Sequence, residues 1–190
     1  VLLDNYIEKN HHVGYVGTDN FEGIDLAVDH LVKLGHKRIA FLNGAKNSMV
    51  SNQRNDAFIS SIITHGLELD ESLIRFGYYV PDCAKDHVPY FLENGATSVI
   101  CASDIMASGV ISAVKKEGLS VPEDISVIGF DDLPIASQLT PSLTTIRQDR
   151  IELGKSAFLL LDGLMHDIST SKLLLRAKFI ERESTSFCKA

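Results

Sequence analysis

The amino-acid sequence predicts a doubly wound, mostly parallel α/β fold. Short apolar runs alternate with helical patterns about every 30 residues, as βαβ units require. The run 125–130 carries no charge and is entered through Pro122, which suits a parallel strand buried on both faces. The helical patterns begin at capping residues and end at glycines, as at Asp19 and Gly35. This alternation specifies the fold class.

The strands and helices are expected in a regular order along the chain. Strands are predicted over residues 1–3, 15–16, 39–42, 73–79, 98–101, 125–130, 143–146 and 173–179. Helices are predicted over residues 19–35, 51–66, 84–93 and 103–117, and from residue 149 onward. In the first helix, Asp19 and Glu22 have capping-box spacing, which explains both residues without a ligand. Apolar residues then follow at helical intervals up to Leu31.

The composition is that of an ordinary globular chain and argues against nucleic-acid binding by this segment. Of its 190 residues, 45% are hydrophobic and 23% are charged, and the formal net charge is -7. Phosphate neutralisation needs clustered Lys and Arg, whereas the most basic run, residues 36–38, is interpreted as a solvated helix end. No apolar run is long enough to span a membrane, and the first residues do not resemble a signal peptide.

The three cysteines, Cys83, Cys101 and Cys188, indicate free thiols in a reducing compartment. One of them is unpaired in any intramolecular scheme, no C-x-x-C spacing occurs, and disulfides are rare in the cytosol. We therefore expect a cytoplasmic protein. The chain opens on an apolar run without an initiator Met, so we also expect it to be part of a longer protein.

Polar residues follow two predicted strands at the carboxyl ends where open parallel sheets bind their ligands. Asp131 and Asp132 end one strand, and Ser103 and Asp104 follow another. An ionised carboxylate accepts several hydrogen bonds at once, which suits adjacent hydroxyls of a sugar or the N–H groups of a nucleobase. Each residue also has a structural interpretation, because Asp and Ser favour turns and helix caps. Spacing alone leaves both interpretations open.

Several strings of the sequence occur together in an order that is specific in combination. They are H-L-V-K-L-G-H-K-R-I-A-F-L at 30–42, N-Q-R-N-D-A-F at 52–58, C-A-S-D-I-M-A-S-G at 101–109, I-S-V-I-G-F-D-D-L at 125–133 and L-T-P-S-L-T-T-I-R-Q-D at 139–149. With these strings the chain resembles the effector-binding domain of lac/galactose-type bacterial transcription repressors. The resemblance covers most of the chain, and any one string would be weak evidence.

The resemblance implies a two-lobed, periplasmic-binding-protein-like fold of type I, with three chain crossings between similar α/β lobes. Residues 1–35 would end the N-terminal lobe, and residues 36–139 would form the C-terminal lobe. Residues 140–164 would cross back to the N-terminal lobe, and residues 165–190 would supply a return strand and tail of the C-terminal lobe. The N-terminal lobe would be incomplete, and the helix-turn-helix headpiece would lie outside this chain.

The resemblance also implies a set of ligand-binding residues. The matching positions are Asp131, Arg54, Tyr79, Ser103, Asp104 and, in some relatives, Glu22. Asp131 matches the binding carboxylate, Arg54 matches a clamping arginine, and Tyr79 matches an aromatic ring placed against the ligand. Many relatives carry Asn where this chain has Ser103, so the reach there is shorter. Asp104 either touches the ligand or holds the start of its helix.

The function implied by the resemblance is that of a ligand-sensing domain of a transcription regulator. A small molecule, a sugar or a nucleobase-like compound, would bind between the lobes and control DNA binding by the headpiece. No cofactor, metal ion or membrane partner is expected. A solute-binding protein of a sugar transporter is the alternative with the same fold. An α/β enzyme is disfavoured, because the sequence shows no G-x-S-x-G elbow, Cys–His pair or glycine-rich phosphate loop.

The predicted helix 103–117 is more apolar than a single buried stripe requires. Its apolar residues include Met106, Ala107, Val110, Ile111, Ala113 and Val114. The surplus indicates either burial against a neighbouring helix or contact with a second subunit. The resemblance implies the second, a two-fold homodimer through this helix and the segment after Asp132, in which Val110→Glu would split the dimer.

Overall fold

The described residues form two β-sheets and their covering helices. The computed structural model describes residues 1–3, 13–166 and 172–189. The strands are β1 (Leu2–Leu3), β2 (Tyr15–Thr18), β3 (Ile39–Asn43), β4 (Ile74–Phe76), β5 (Ser98–Cys101), β6 (Ser126–Asp131), β7 (Thr144–Arg147), β8 (Lys172–Leu175) and β9 (Lys178–Ile180). The α-helices are α1 (Asn20–Lys33), α2 (Met49–Thr64), α3 (Ala84–Glu93), α4 (Asp104–Lys116), α5 (Pro134–Gln138) and α6 (Arg150–Met165). Short 3₁₀ helices lie at Glu71–Leu73 and Pro81–Cys83.

The larger sheet has six strands in the order β4-β3-β5-β6-β7-β9. The first five are parallel to their neighbours, and β9 runs antiparallel to β7. The smaller sheet has the order β1-β2-β8, with both pairings parallel. These orders confirm the predicted class, a mostly parallel α/β fold with helical crossovers.

Helices cover both faces of the larger sheet, so its central strands are buried on both sides. Phe41 and Ile128 belong to the apolar cluster that contains α1 and α2. Leu42 and Val127, their chain neighbours, belong to the cluster that contains α3 and α4. Each large apolar side chain buried in this way stabilises the fold by about 1.5–3 kcal/mol. The sheet interior therefore holds the carboxyl ends of the strands rigidly in place.

Helix α4 buries its apolar residues inside this chain, which corrects the sequence interpretation. Val110 is 0% exposed, and the other five apolar residues singled out above are also buried. They pack in the cluster formed with α3 and the central strands. The surplus therefore comes from burial against a neighbouring helix as well as the sheet. Val110 is therefore unavailable to a second subunit.

The chain passes between the two sheets at positions that differ from the predicted boundaries. Helix α1 was assigned to the N-terminal lobe, but its apolar face packs on the larger sheet and α2, so the first crossing lies at Asp19. Strand β7 pairs with β6, so the second crossing follows Arg147 and not residue 140. The predicted strand 173–179 is two strands in different sheets, and the third crossing lies at Arg176. An amphipathic pattern predicts that a face is buried, but not which sheet buries it.

The smaller sheet is accompanied by helix α6, which contacts β1 and β2. Exposed apolar side chains on this helix include Ile151, Phe158, Leu159 and Met165. Among the described residues, no helix combines the length and the apolar character that a membrane crossing needs.

Candidate functional site

Polar side chains gather where strands of both sheets end. Thr18 ends β2, Asn43 ends β3, and Asp131 ends β6. The backbone at Asp131 and Asp132 has positive φ angles of 110° and 51°. Such conformations in non-glycine residues cost about 1–3 kcal/mol each and cluster at functional sites. The Asp131 carboxylate is thus held at the predicted strand end by a strained turn.

Arg54 lies beside Asp131 and is almost fully buried, with 4% of its surface exposed. Its Nε donates to Asn20 Oδ1 at 2.8 Å, and its Nη1 donates to the Ala102 carbonyl oxygen at 2.5 Å. Its guanidinium carbon lies 3.7 Å from the centre of the Phe130 ring. Nη2 lies 3.9 Å from Asp131 Oδ1. A buried guanidinium stacked on a ring and directed at a carboxylate is not a solvated surface arginine.

Gln148 links the site carboxylate to the smaller sheet. Its Nε2 donates to Asp131 Oδ1 in a short hydrogen bond. Its Oε1 accepts from the Thr18 hydroxyl at 2.7 Å. A second amide pair lies nearby, where Asn20 Nδ2 donates to Gln53 Oε1 at 2.8 Å. These four polar residues were not predicted from the sequence, although the strand-end rule applied to β2 and β7 points to Thr18 and Gln148.

Tyr79 reaches the same edge of the larger sheet through a left-handed turn. Its φ angle is 61°, and its hydroxyl lies 2.8 Å from Ser51 Oγ. The Ser51 backbone carbonyl oxygen in turn accepts a hydrogen bond from Asn43 Nδ2 at 3.0 Å. The close approach requires glycine at position 44, because a Cβ there would lie 2.1 Å from the Tyr79 ring. The aromatic ring is therefore held by α2 and the end of β3.

Ser103 caps helix α4, as the alternative interpretation predicted. Its Oγ accepts from the Met106 backbone N–H at 3.3 Å, and the residue is buried. The carbonyl oxygen of the preceding residue, Ala102, is the one that accepts from Arg54. Ser103 thus lies next to the site through its backbone, while its side chain serves the helix.

Asp104 is buried behind the site and does not face it. Its Oδ1 accepts from the Thr145 hydroxyl at 2.5 Å, and its Oδ2 accepts from the Leu133 backbone N–H at 2.6 Å. Glycine at position 129 makes room, because a Cβ there would lie 2.3 Å from Asp104 Oδ1. Burial raises the pKa of Asp104 to about 7, although both hydrogen bonds lower it. The residue joins α4, β7 and the turn after Asp131.

Glu22 ties the first crossing to the third and does not complete a capping box. Asp19 caps α1 by accepting from the Glu22 backbone N–H at 3.0 Å. The Glu22 carboxylate instead accepts from Arg176 Nε at 2.8 Å and Nη2 at 2.6 Å, and from the Ala177 backbone N–H at 3.0 Å. In this structure its hydrogen bonds serve the connection between the sheets.

Asp132 is an ion-pair partner and does not cap the turn that follows it. Arg147 Nε and Arg182 Nη2 each donate to its carboxylate at 2.6 Å. Helix α5 begins after Leu133 without a side-chain cap. Burial opposes ionisation of Asp132, but the hydrogen bonds from the two arginines outweigh it, so the pKa of this carboxyl is lowered. Asp131 and Asp132 are adjacent in sequence, but they have different partners.

A family model described as a periplasmic binding protein-like domain matches residues 28–185. The chain belongs to this family. Among characterised relatives, the transcriptional repressor PurR of Pasteurella multocida is 32% identical over 168 residues, which is 87% of this chain and 50% of the relative. The transcriptional repressor CytR of Escherichia coli is 33% identical over 189 residues, which is 97% of this chain and 55% of the relative. The chain therefore spans about half the length of these repressors.

Solved structures with the same periplasmic binding protein-like fold include several regulators. The transcription regulator CcpA of Lactococcus lactis superposes with a TM-score of 0.89 at 28% identity, covering 97% of this chain and 68% of that chain. A LacI-family regulator from Enterococcus faecium with bound ribose gives 0.87 at 29% identity, covering 98% and 70%. A dimeric Lac repressor gives 0.88 at 28% identity, covering 97% and 68%. The resemblance to lac/galactose-type repressors is confirmed.

Proposed function

We propose that this chain is the effector-binding part of a bacterial transcription regulator. The observation that carries the proposal is the pair of Arg54 and Asp131 at the strand ends, 3.9 Å apart and surrounded by polar side chains from both sheets. The relatives that match nearly the whole chain are repressors. A small molecule bound against this pair would contact both sheets at once, and its differential affinity for two arrangements would regulate DNA binding.

The chemistry of the pair favours a neutral polar ligand, for which a sugar is our first proposal. Arg54 supplies donors next to the Asp131 acceptor, and their opposite charges balance, so a strongly anionic ligand would have to displace the carboxylate. Vicinal hydroxyls of a sugar match adjacent donors and acceptors, and the Tyr79 ring offers a surface for the apolar side of the ligand. A structural relative is a cellobiose complex of the regulator CelR. A nucleobase-like compound stays as the second candidate.

Two other functions compete with that of a regulator. A solute-binding protein of a transporter would share the fold, and an enzyme would need a catalytic group. The repressor relatives favour the regulator over both. We propose that DNA is bound through a headpiece outside this chain and that the protein works in the cytoplasm. A genomic sequence upstream of Val1 that encodes a secretion signal in place of a helix-turn-helix would overturn this assignment.

We further propose that the intact regulator is a homodimer, in agreement with the dimeric Lac repressor among the solved relatives. Because Val110 is buried, the exposed face of α4, which includes Ser112, replaces it as the expected contact. Sedimentation of the intact regulator at micromolar concentration should give a dimer. A monomer under these conditions would contradict the proposal.

Substituting either member of the Arg54–Asp131 pair should weaken ligand recognition while the protein stays folded. Asp131→Asn and Arg54→Lys in the intact regulator should each weaken binding of the recognised ligand about ten- to hundredfold, because a hydrogen bond to a charged group contributes about 1.5–3 kcal/mol. The measurement is a thermal-shift panel of sugars, nucleosides and nucleobases. A ligand that binds only the folded state at a hundred times its Kd stabilises the parent by about 2.7 kcal/mol.

Asp56→Asn is a matched control, since Asp56 is exposed on the same helix as Arg54. This variant should give the same thermal shifts as the parent. Unchanged affinity in both Asp131→Asn and Arg54→Lys would refute the site, and a panel in which nothing stabilises the parent would count against the proposed function.

A further inference from the structure

In the part of the chain that the structure describes, three segments connect the two sheets, and one side chain in the second segment contacts both sheets. The first segment follows Thr18, the second follows Arg147, and the third lies at Arg176 and Ala177. Gln148 is the first residue after Arg147 and lies at the beginning of the second segment. Its amide is hydrogen-bonded to the end of a strand in each sheet.

The two hydrogen bonds of Gln148 use opposite ends of the same amide. Oε1 accepts from the hydroxyl of Thr18, which is buried at the end of β2 in the smaller sheet. Nε2 donates to Oδ1 of Asp131, which ends β6 in the larger sheet. Because an ionised carboxylate only accepts, it fixes which end of the amide faces it. The amide oxygen must then face Thr18, so the charge of Asp131 determines the contact to the smaller sheet.

The first and third segments are joined to each other by separate bonds. The Asp19 backbone N–H donates to the Leu175 carbonyl oxygen at 2.8 Å. The Glu22 carboxylate accepts from Arg176 and from the Ala177 backbone N–H. These two connections do not involve Asp131. The contact of the second segment through Gln148 differs, because it includes the carboxylate that the proposed ligand would use.

We propose that Gln148 is a positioning residue that couples the state of Asp131 to the relative placement of the two sheets. The inference rests on the proposed function, and it names how that site is regulated. A ligand hydroxyl that donates to Oδ1 of Asp131 from the position that Gln148 Nε2 occupies competes with the amide for that oxygen. Displacement of the amide removes the fixed orientation of Oε1 and weakens the bond to Thr18. Ligand binding thereby changes the restraint between the sheets without direct contact to Thr18.

The chain of hydrogen bonds from Asp131 through Gln148 to Thr18 predicts that the arrangement of the sheets depends on Asp131 even without ligand. Removing the Asp131 side chain should act like a competing donor, since either change leaves Gln148 Nε2 without its partner. Removing the amide, or the Thr18 hydroxyl, should have the same effect, because all three groups belong to one chain of hydrogen bonds. Coupling of this kind changes an equilibrium by about 5–150-fold.

The experiment measures the distance between the sheets in the ligand-free intact regulator by electron–electron double resonance. Spin labels are attached at Ser60→Cys on α2 and Lys155→Cys on α6, both exposed positions. The half-buried thiols are removed by Cys83→Ser and Cys188→Ser, whereas Cys101 is buried and is retained. Gln148→Met keeps the side-chain length and removes both hydrogen bonds.

Gln148→Met, Thr18→Val and Asp131→Ala should each shift or broaden the distance distribution in the same way. The double variant Thr18→Val with Gln148→Met should show no further change, because the first substitution already breaks the chain. Gln138→Met is the matched control. It makes the same substitution at an exposed position of α5 that does not belong to this chain of hydrogen bonds, so it should leave the distribution as in the parent.

Two outcomes would overturn the inference. One is a Gln148→Met distribution identical to that of the parent, and the other is an equal change in Gln138→Met. Gln148→Asn provides a second variant in which the amide is retained but is too short to reach both partners, and it should reproduce the change. Failure of the proposed function is a separate result, because it appears as the absence of any stabilising compound in the thermal-shift panel.

Discussion

Val110→Glu is expected to leave no stably folded protein. Val110 is 0% exposed and packs in the apolar cluster between α4, α3 and the central strands. A carboxylate placed there is surrounded by apolar side chains of this cluster, and the effective penalty for burying it is several kcal/mol. Domains of this size are stable by only about 5–15 kcal/mol, and loss of packing adds to the penalty. Far-UV circular dichroism and thermal unfolding of the intact protein measure the effect.

Ser112→Glu is the matched control, because Ser112 lies on the same helix and is exposed. It should give native circular dichroism and a cooperative transition, and any effect of the substitution should be confined to sedimentation. A Val110→Glu protein with the melting temperature of the parent would show that this face of α4 is open to solvent. The two variants separate loss of the fold from loss of a dimer, which Val110→Glu alone cannot do.

The strands and helices of the larger sheet could be predicted from the sequence because their signals are local. Helix α3 and strand β5 have the predicted bounds, and Ser103 caps α4 as its spacing indicates. Capping residues, terminal glycines and uninterrupted apolar runs act within a few residues of one another. Such signals locate an element along the chain. They carry no information on its partners in space.

The predicted lobe boundaries differ from the observed crossings because local signals do not identify the sheet on which an element packs. Helix α1 follows a strand of the smaller sheet, and its apolar stripe is compatible with either sheet. The predicted strand 173–179 is interrupted at Arg176, where the Glu22 carboxylate binds the Arg176 side chain, 154 residues away in sequence, and the Ala177 backbone N–H. A contact at that separation leaves no periodic pattern. Only the folded arrangement assigns β8 and β9 to different sheets.

Some residues of the candidate site could be predicted from local signals in the sequence, and others could not. Asp131 follows from the strand-end rule, since a carboxylate directly after a buried parallel strand must lie at the ligand-binding edge. Arg54 was predicted through the resemblance, because its sequence surroundings alone favour an ordinary surface arginine. Thr18 and Gln148 are 130 residues apart, and neither type of residue is distinctive. Asp104 was predicted at the edge, but its helix turns the side chain beneath the sheet edge, where Thr145 and Leu133 bind it.

Asp104→Asn is expected to flatten the pH dependence of stability. The pKa of Asp104 in the folded protein is about 7, well above its ordinary value of 3.8, because burial disfavours the charged form and Asp131 and Asp132 add repulsion. As pH rises from about 4 to 7, the unfolded chain loses this proton while the folded protein keeps it. Stability therefore falls by about 1.4 kcal/mol for each pH unit in this window and is constant above it.

The neutral amide can replace the protonated carboxyl with the same hydrogen bonds. Its nitrogen can donate to the Thr145 hydroxyl, which then accepts, and its oxygen can accept from the Leu133 backbone N–H. The free energy of unfolding, measured by urea titration, should lose this pH-dependent contribution in Asp104→Asn. Between pH 4 and 8, the difference between the variant and the parent should therefore change by up to about 4 kcal/mol in favour of the variant. Thr145→Val should instead extend the loss to higher pH, because it removes a hydrogen bond that lowers the pKa of Asp104. Parallel curves for Asp104→Asn and the parent would mean that the buried carboxylate is ionised throughout, and the interaction with its two donors would then outweigh its burial.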